Sequence, residues 1–296
     1  GLQNLSARYN YIYNSNVLLD SYQESLSQTH KDNYENFLSV YIAPEPIDYS
    51  STAAAPAADK DLEEITQKAQ TIVAEKALSN YVDDAYILLG KTNFYKGNYF
   101  TAAEYFDYTA RAYRKDNKVF LNGLNWKARS LMQMNSYDAA LKVLDTVMLV
   151  LDSVKNEKAE PLATLAQMSI NQIEYKKAIF YLEEAIKQSN KIQSRTRWPF
   201  ILAQLYEHEK EYVVTVDKPI TEQFLRKMAS GVPILETITL PCQIKQISRQ
   251  TFNIILTQGL NRQIRRMTEF LGFNVTKLKR VRIMNVRLAE LKAGQY

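Results

Sequence analysis

Three arginines follow a turn-forming sequence near the end of the chain, in the stretch QGLNRQIRRM. Gly259 permits a tight turn and Asn261 is a good helix N-cap, so we predict that a helix begins here. Arg262, Arg265 and Arg266 then fall on its first turn and a half. Forked guanidinium donors at a helix N-terminus bind phosphates or carboxylates, and the helix dipole adds to that preference. The spacing therefore predicts an anion site.

A second set of cations lies in the stretch VTKLKRVRIMNVRL, where basic and apolar residues interleave as in a strand. Residues 212–296 contain 14 Lys/Arg and 5 Asp/Glu, a net charge of +9, whereas residues 1–211 contain 23 and 27, a net charge of −4. Such clustering on a twisted sheet fits contacts that follow an RNA backbone better than it fits a merely solvated surface. The cations of this stretch are Lys277, Lys279, Arg280, Arg282 and Arg287.

No residues in the sequence predict a metal ion or a cofactor. His30 and His208 lack Cys, His or carboxylate neighbours at metal-ligand spacing, and Cys242 is the single cysteine, which excludes an intramolecular disulfide. No run approaches the ~18 apolar residues of a membrane-spanning helix. The opening GLQN is not a signal peptide. We therefore expect no cofactor, no metal and no membrane-spanning segment.

The periodicity of apolar residues divides the chain into four regions. Residues 1–43 predict one or two helices, with Leu5, Tyr9, Ile12, Asn16, Leu19 and Leu26 along one face. Residues 44–60 form a Pro/Ala/Ser-rich linker that cannot bury enough surface to order itself. Residues 61–211 predict repeated helices. Residues 212–296 predict an α+β domain with strands at 212–217, 242–247 and 251–258 and a helix at 220–228.

A repeat of 38 residues is visible in the helical region, anchored on Tyr99, Tyr137 and Tyr175. Each tyrosine has a small residue nine positions before it, an alanine three positions after it and Phe or Leu seven positions after it. Small residues let antiparallel helices approach closely, and we expect Tyr, Phe and Leu to fill the space between hairpins. A fourth copy begins at Arg197, with Ala203 and Tyr212 in the matching positions, and fails at Thr215. The residues in the matching positions of the first three copies are Gly90, Ala102, Phe106; Ala128, Ala140, Leu144; and Ala166, Ala178, Leu182.

This pattern resembles the tetratricopeptide repeat (TPR). With the opening NLSARYNYIYNSNVLL, residues 1–211 look like the tetratricopeptide lipoproteins of the type IX secretion and gliding machinery. The lipid-bearing cysteine of those proteins is missing here. The resemblance implies a helical solenoid whose concave face binds a protein or peptide partner, in the periplasm or at the outer membrane. Aromatic residues are common anchors at interfaces, so we predict that Tyr95, Tyr105, Tyr108 and Tyr113 line the groove.

The basic region resembles a second, unrelated family. The stretches EKEYVVTVDKPIT, GVPILETITLPC, QGLNRQIRRM and LKRVRIMNVRLAELKAGQY, covering residues 209–296, are similar to the F branch of the bacterial pseudouridine synthases that modify large ribosomal RNA. In that family an aspartate of a Gly-Arg-Leu-Asp motif attacks the uridine, a tyrosine packs on the base and serves in proton handling, and an arginine pairs with the aspartate. Tyr212 and Arg265 match the tyrosine and the arginine. The resemblance implies a cytoplasmic enzyme acting on ribosomal RNA, with RNA-facing positions at Asn261, Arg262, Gln263, Arg266, Lys279, Arg280 and Arg282.

The catalytic aspartate has no counterpart, because Arg-Leu-Asp occurs nowhere in the 296 residues. We therefore expect an incomplete synthase domain that also lacks the S4 RNA-binding module and, ending at GQY, the family's closing helix. Asp217 lies in the right strand region but carries no motif. Residues 209–212 (Glu-Lys-Glu-Tyr) fit both patterns, as at a join made by gene fusion, misassembled reads or deliberate grafting. Three functions stay open: an inactive TPR scaffold joined to an RNA-binding fragment, a pseudouridine synthase, and a ribosomal-RNA-binding module without catalysis.

Overall fold

The structure is a computed structural model that describes residues 2–34, 36–47, 59–189, 192–208, 210–283 and 286–287. The chain is mostly helical with one small sheet, and it divides into two compact units. We call Gly1–Pro199 the helical unit and Phe200–Tyr296 the sheet unit. None of the helices in the described ranges is both long and apolar enough to cross a membrane.

The helices begin with α1 (Leu2–Ser6), which continues through a π-helical stretch (Ala7–Tyr13) into α2 (Asn14–Thr29). Residues 30–34 and 36–47 form neither helix nor strand. The next helices are α3 (Lys60–Glu75), α4 (Val82–Tyr95), α5 (Tyr99–Ala112), α6 (Asn117–Gln133), α7 (Tyr137–Leu151), α8 (Ala159–Asn171), α9 (Tyr175–Gln188) and α10 (Ile192–His208). Carboxylate caps define two of these starts. Asp59 accepts from the backbone N–H groups of Asp61 and Leu62, and Asp116 accepts from those of Lys118 and Val119.

Helices that follow each other in the chain pack as antiparallel hairpins, α4 against α5, α6 against α7 and α8 against α9. The alanines of the 38-residue repeat (Ala102, Ala140 and Ala178 three positions after the tyrosines, Ala128 and Ala166 nine positions before them) are fully buried. At Gly90 a Cβ atom would lie 2.4 Å from the Phe106 ring, so only glycine permits this approach of α4 to α5.

Three details of the predicted helical region are corrected. The N-terminal helix ends at Thr29 rather than continuing to residue 43, and Leu5 and Tyr9 are more than half exposed. The predicted linker is tied down at its start, where the N–H of Ile47 donates to the carbonyl of Gly97 (3.1 Å); residues 48–58 lie outside the described ranges. Tyr99 fills a buried position as expected, but Tyr137, at the same first position of its helix, is 42% exposed.

The sheet unit contains a five-stranded sheet of order β4-β5-β1-β6-β7 and a separate two-stranded β2-β3 ribbon. Its elements are β1 (Lys210–Val216), α11 (Glu222–Ser230), β2 (Pro233–Ile234), β3 (Thr237–Ile238), β4 (Gln243–Gln246), β5 (Thr251–Leu256), α12 (Gln263–Phe270), β6 (Val275–Ile283) and β7 (Val286–Arg287). The helical pattern ends at His208 and β1 begins at Lys210, close to the predicted change. The domain boundary at 211/212 stays a prediction.

The predicted strand at 212–217 lies in the middle of the sheet. An incomplete synthase domain predicts an unpaired edge at this strand, and that prediction is wrong, because β1 pairs antiparallel with β5 on one side and with β6 on the other. One face of these strands packs against α11 and α12 in a core that includes Val214, Phe224, Phe252, Ile254 and Met267.

Candidate nucleic-acid interface

The start of α12 and the start of β1 border a cavity of about 250 Å³ in the sheet unit. Tyr212 and Arg265, which the sequence resemblance paired as catalytic residues, both line it. The other lining residues are Lys210, Leu256, Gln258, Gly259, Leu260, Arg262, Gln263, Ile264 and Leu278. Three lining side chains are cationic and none is acidic. Among the described residues, the cavity is therefore a positively charged site with an aromatic wall.

Arg262 turns the chain into α12 with a left-handed backbone, φ 51° and ψ 32°. It therefore occupies the N-cap position predicted for Asn261. Asn261 lies one residue earlier, and its carbonyl accepts a hydrogen bond from Nε of Arg266 (3.1 Å). A left-handed conformation costs an arginine ~1–2 kcal/mol. Backbone strain of this kind is commonly found at functional sites.

Gln263 lines the cavity and holds this turn in place. Its backbone N–H donates to the carbonyl of Leu260 (3.2 Å), and its side-chain Oε1 accepts from the N–H of Leu260 (3.2 Å). The residue is 4% exposed, and its Nε2 has no hydrogen-bond partner among the described residues. A buried amide donor without a partner can satisfy itself on a carbonyl of a bound ligand.

The register of β1 places Tyr212 opposite Arg280 on β6 and opposite Ile254 on β5. Side chains of directly opposed residues share one face of a sheet, so Arg280 lies on the same face as Tyr212. The Nε atom of Arg280 is buried and unpaired within the described part of the chain. Arg265, from α12, reaches the carbonyl of Val275 with Nη1 (3.4 Å).

The predicted RNA-facing residues do not share one surface. Lys279 is opposite Val213 and is exposed, so it points to the sheet face away from Tyr212. Arg266 does not line the cavity, because its guanidinium is turned back to Asn261. Arg282 is opposite Glu211 in the ladder, and its side chain lies outside the described residues. The cavity thus gathers Arg262 and Gln263 of the predicted RNA-facing set with Tyr212 and Arg265, the predicted catalytic pair.

Asp217 does not take the place of the missing nucleophile. Its two carboxylate oxygens accept from the backbone N–H (2.8 Å) and the side-chain Nδ2 (3.0 Å) of Asn274, and these bonds hold its pKa below the usual range. It follows Tyr212 by five residues, ~17 Å along an extended chain. Asp217 fixes the start of β6 and lies outside the cavity lining.

The helical unit contains a larger cavity of about 880 Å³, bordered by α2, α4, α6, α8 and the extended segment after α2. Of the predicted groove tyrosines, Tyr95 lines it. Tyr105 and Tyr108 lie on α5 against the Tyr86 ring, at centroid distances of 6.4 and 4.7 Å, and Tyr113 caps the same helix. These three tyrosines do not line this cavity, and their place in a partner groove stays a prediction.

Several lining residues were missed by the sequence reasoning. Lys210 precedes Tyr212 by two residues, so the alternation of a strand could have placed it on the same face. In the helical unit, Asn122, Asn125, Trp126 and Arg129 line the larger cavity. They follow the three- and four-residue spacing of one helix face. This spacing could have identified them, but the groove prediction considered only tyrosines.

His30, predicted to be isolated, has Nε2 3.2 Å from a carboxylate oxygen of Asp32. That carboxylate also accepts two hydrogen bonds from Arg197 (2.8 Å each). In the described part of the chain, no group of three or more His, Cys, Asp or Glu residues is placed to hold a metal ion.

Part of the chain is similar to known RNA-modifying enzymes. It is 58% identical over 90 residues to the dual-specificity RNA pseudouridine synthase RluF of Salmonella typhi, which covers 30% of this chain and 31% of that protein. It is 39% identical over 95 residues to the ribosomal large subunit pseudouridine synthase B of Bacillus subtilis, covering 30% and 39% of the two chains. The matched part thus spans about a third of the length of these relatives.

Among solved structures, the chain is similar to one described as a crystal structure of pseudouridylate synthase, with 28% identity and a TM-score of 0.26, covering 27% of this chain and 35% of that one. No protein-family model matches the chain.

Proposed function

We propose that the sheet unit carries the RNA-contacting part of a pseudouridine synthase active site, and that the 296-residue chain does not isomerise uridine by itself. The observation that carries this proposal is the meeting of Tyr212 and Arg265 in one cavity whose charged lining residues are all cations. We take the segment similar to RluF to be residues 209–296, because the synthase-like motifs lie there.

Each lining group has a role in holding a uridine that is turned out of an RNA strand. The Tyr212 ring offers a flat surface on which a base can stack. Arg262 and Lys210 offer charge to the flanking phosphates, and Nε2 of Gln263 offers a donor to a carbonyl of the base. Arg265 would pair with a carboxylate, a group that is absent from the described residues lining the cavity.

Catalysis needs that carboxylate. An aspartate nucleophile forms a covalent bond to the substrate, and cationic side chains cannot substitute for it. The sequence contains no Gly-Arg-Leu-Asp motif, and no carboxylate is among the described residues that line the cavity. We therefore expect no tritium release from 5-tritiated uridine in a fragment of large ribosomal RNA. Release above the blank would support the alternative, an active synthase, and would start a search for a different nucleophile.

Binding is testable separately from catalysis. Fluorescence anisotropy with a labelled single-stranded RNA should show an affinity that falls steeply between ~50 and ~200 mM salt. The Arg262→Ala, Arg265→Ala, Arg266→Ala triple variant should lose most of this affinity. A matched control removes three cations outside the cavity, Arg226, Lys227 and Arg249, at the same change in net charge. Equal losses of RNA affinity in both variants would show that the RNA is bound only by nonspecific charge attraction.

We propose a second function for the helical unit, a TPR-like scaffold that binds an extended segment of a protein partner. It is supported by the 38-residue spacing, which falls on the first residue of α5, α7 and α9. A random peptide library selected on the chain should yield binders that are lost on Asn125→Arg, which fills the larger cavity, and kept on Asp145→Arg on α7. Binders insensitive to Asn125→Arg would contradict this function.

A further inference from the structure

Residues 38–47, which we call the internal segment, run through the helical unit without regular secondary structure. The contacts of this segment follow the helices in reverse order. Ser39 and Val40 contact α10 and α8, Tyr41 contacts α6, and Pro44 and Ile47 contact the α4–α5 hairpin. Nine extended residues cover ~27 Å, which matches three steps of 8–10 Å between four packed helices.

Helix side chains bind the backbone of the internal segment. Nε1 of Trp198 donates to the carbonyl of Val40 (2.9 Å), and the N–H of Val40 donates to Oε1 of Gln167 (2.6 Å). Nε of Arg197 donates to the carbonyl of Ser39 (2.8 Å), and the Tyr99 hydroxyl donates to that of Pro44. Contacts of this kind depend on an extended backbone rather than on one sequence, as in the recognition of an extended peptide.

One side chain of the segment occupies a preformed aromatic slot. The guanidinium carbon of Arg129 lies 4.3 Å from the Tyr41 ring centroid and 4.9 Å from that of Trp126. Arg129 is 3% exposed and is held by Thr164 (2.8 Å) and Glu160 (2.8 Å). These bonds do not involve Tyr41, so they can hold Arg129 in place without the tyrosine.

We propose that the internal segment is a built-in occupant of the groove, and that the partner is another polypeptide whose extended segment replaces it, with an aromatic residue in the slot of Tyr41. This inference rests on the scaffold function proposed above. Two features make the segment replaceable. It lies between the end of α2 at Thr29 and the start of α3 at Lys60, so its release breaks no helix. In addition, its own buried apolar side chains are few, Leu38 and Val40.

The experiment uses the whole chain and a fluorescein-labelled peptide of residues 36–47, NFLSVYIAPEPI, added in trans. In wild type the attached segment competes at a high effective concentration and masks the groove. Tyr41→Ala in the chain weakens the attached copy, so we expect it to bind the peptide at least 10-fold more tightly than wild type does. Tyr13→Ala, which changes a tyrosine 63% exposed on the N-terminal helix, should behave like wild type. A peptide carrying Tyr41→Ala should bind neither chain.

Hydrogen exchange on wild type keeps the inference testable if Tyr41→Ala does not fold. Amides 38–47 should exchange at least 10-fold faster than those of α6 and α8. A folded Tyr41→Ala chain that binds the peptide no better than wild type would overturn the inference, as would exchange of the segment only with unfolding of the helices. Because the probe is the chain's own segment, a negative result here leaves the peptide-library test of the scaffold function unaffected.

Discussion

At the scale of single residues, Gln263 combines a structural and a binding role in one side chain. Its Oε1 closes the turn before α12, while Nε2 is left buried and unpaired in the cavity, as far as the described residues show. An unsatisfied buried donor costs ~1–3 kcal/mol, and a ligand carbonyl would recover part of that cost. The two roles belong to different atoms, so they can be separated by one substitution.

Gln263→Glu keeps the oxygen that accepts from Leu260 and replaces the donor with an anionic acceptor. We expect RNA affinity to fall at least ~10-fold, about 1.4 kcal/mol, because the cavity loses a donor and gains a charge that repels phosphate. Anisotropy with the labelled RNA measures this loss. Gln250→Glu, whose side chain bonds to Asp217 in an exposed turn, makes the same charge change outside the cavity and serves as control. Equal losses in both variants would contradict a role for Nε2.

The rate at which the Cys242 thiol is alkylated reports whether the sheet unit is folded around it. Burial raises the pKa of its thiol to about 11, and its Sγ donates to the carbonyl of Met228 (3.2 Å). Only the thiolate reacts with alkylating reagents, and a shift from 9.0 to about 11 lowers the thiolate fraction at pH 8 by ~100-fold. We therefore expect iodoacetamide to label the folded chain at least ~100-fold more slowly than the urea-unfolded chain. Similar rates would show that Cys242 is accessible in the folded unit.

At the scale of elements, the three hairpin turns share one backbone geometry. Gly97, Asn135 and Ile173 each have positive φ (76°, 57° and 62°) two residues before the repeat tyrosine. In each turn the next residue's N–H donates to a carbonyl five positions earlier, at 2.8–2.9 Å. This is the Schellman arrangement that ends a helix, and it favours glycine at the left-handed position. The third turn holds a β-branched residue there, against that preference.

Ile173→Gly should therefore stabilise the helical unit by about 1 kcal/mol, since it removes the left-handed strain and Ile173 is 71% exposed. Urea unfolding followed by tryptophan fluorescence measures the change. Gly97→Ala should destabilise the unit, because its φ is positive and a Cβ would lie 2.3 Å from the carbonyl oxygen of Glu45. A stability loss on Ile173→Gly would show that the isoleucine contributes packing that outweighs the strain.

The ion pair between Asp32 and Arg197 joins the segment after α2 to α10, and it makes stability depend on pH. The hydrogen bonds from Arg197 hold the pKa of Asp32 below its ordinary value of 3.8, and both side chains are mostly buried. Because the folded-state pKa is the lower one, the stabilisation is complete above pH ~4 and is lost as pH falls through the folded-state pKa.

Asp32→Asn should lower the urea midpoint of the tryptophan signal at pH 7 and flatten the decline of that midpoint as the pH falls below ~4. Asp152→Asn is the matched control, because the Asp152 side chain is 96% exposed and its pair with Lys158 is solvated. If the urea midpoints of both variants depend on pH as in wild type, the ion pair of Asp32 contributes nothing measurable to stability.

Helices and strands could be predicted where the spacing of residue types along the chain determines the secondary structure. The small residues at a period of 38 became buried contacts, and the β-branched run at 212–216 became a strand. The end of α2 was not predictable, because the described residues that follow it are held by contacts with helices up to 165 positions away. The N-cap of α12 was misplaced for a related reason: local preference favoured Asn261, whereas the turn held by Gln263 puts Arg262 there. Tyr212 and Arg265 were paired through family resemblance, which residue types alone would not have supplied.

At the scale of the whole molecule, each unit has a buried core of its own. The helical unit's core residues include Leu144, and those of the sheet unit include Ile254. The two units also carry separate natural reporters. Both tryptophans of the sequence, Trp126 and Trp198, lie in the helical unit, and the single cysteine lies in the sheet unit. Tryptophan fluorescence and Cys242 labelling therefore follow the two units independently in one sample.

Separate cores predict separate unfolding. Leu144→Ala should destabilise the helical unit by ~2–5 kcal/mol, because it leaves a cavity at a side chain only 1% exposed, and should shift the tryptophan transition in urea without changing Cys242 labelling. Ile254→Ala should destabilise the sheet unit by a similar amount, because Ile254 on β5 is fully buried in that unit's core. It should change Cys242 labelling without shifting the tryptophan transition. If either substitution moves both signals together, the chain unfolds as one cooperative body. A ligand of either unit would then stabilise both units by mass action.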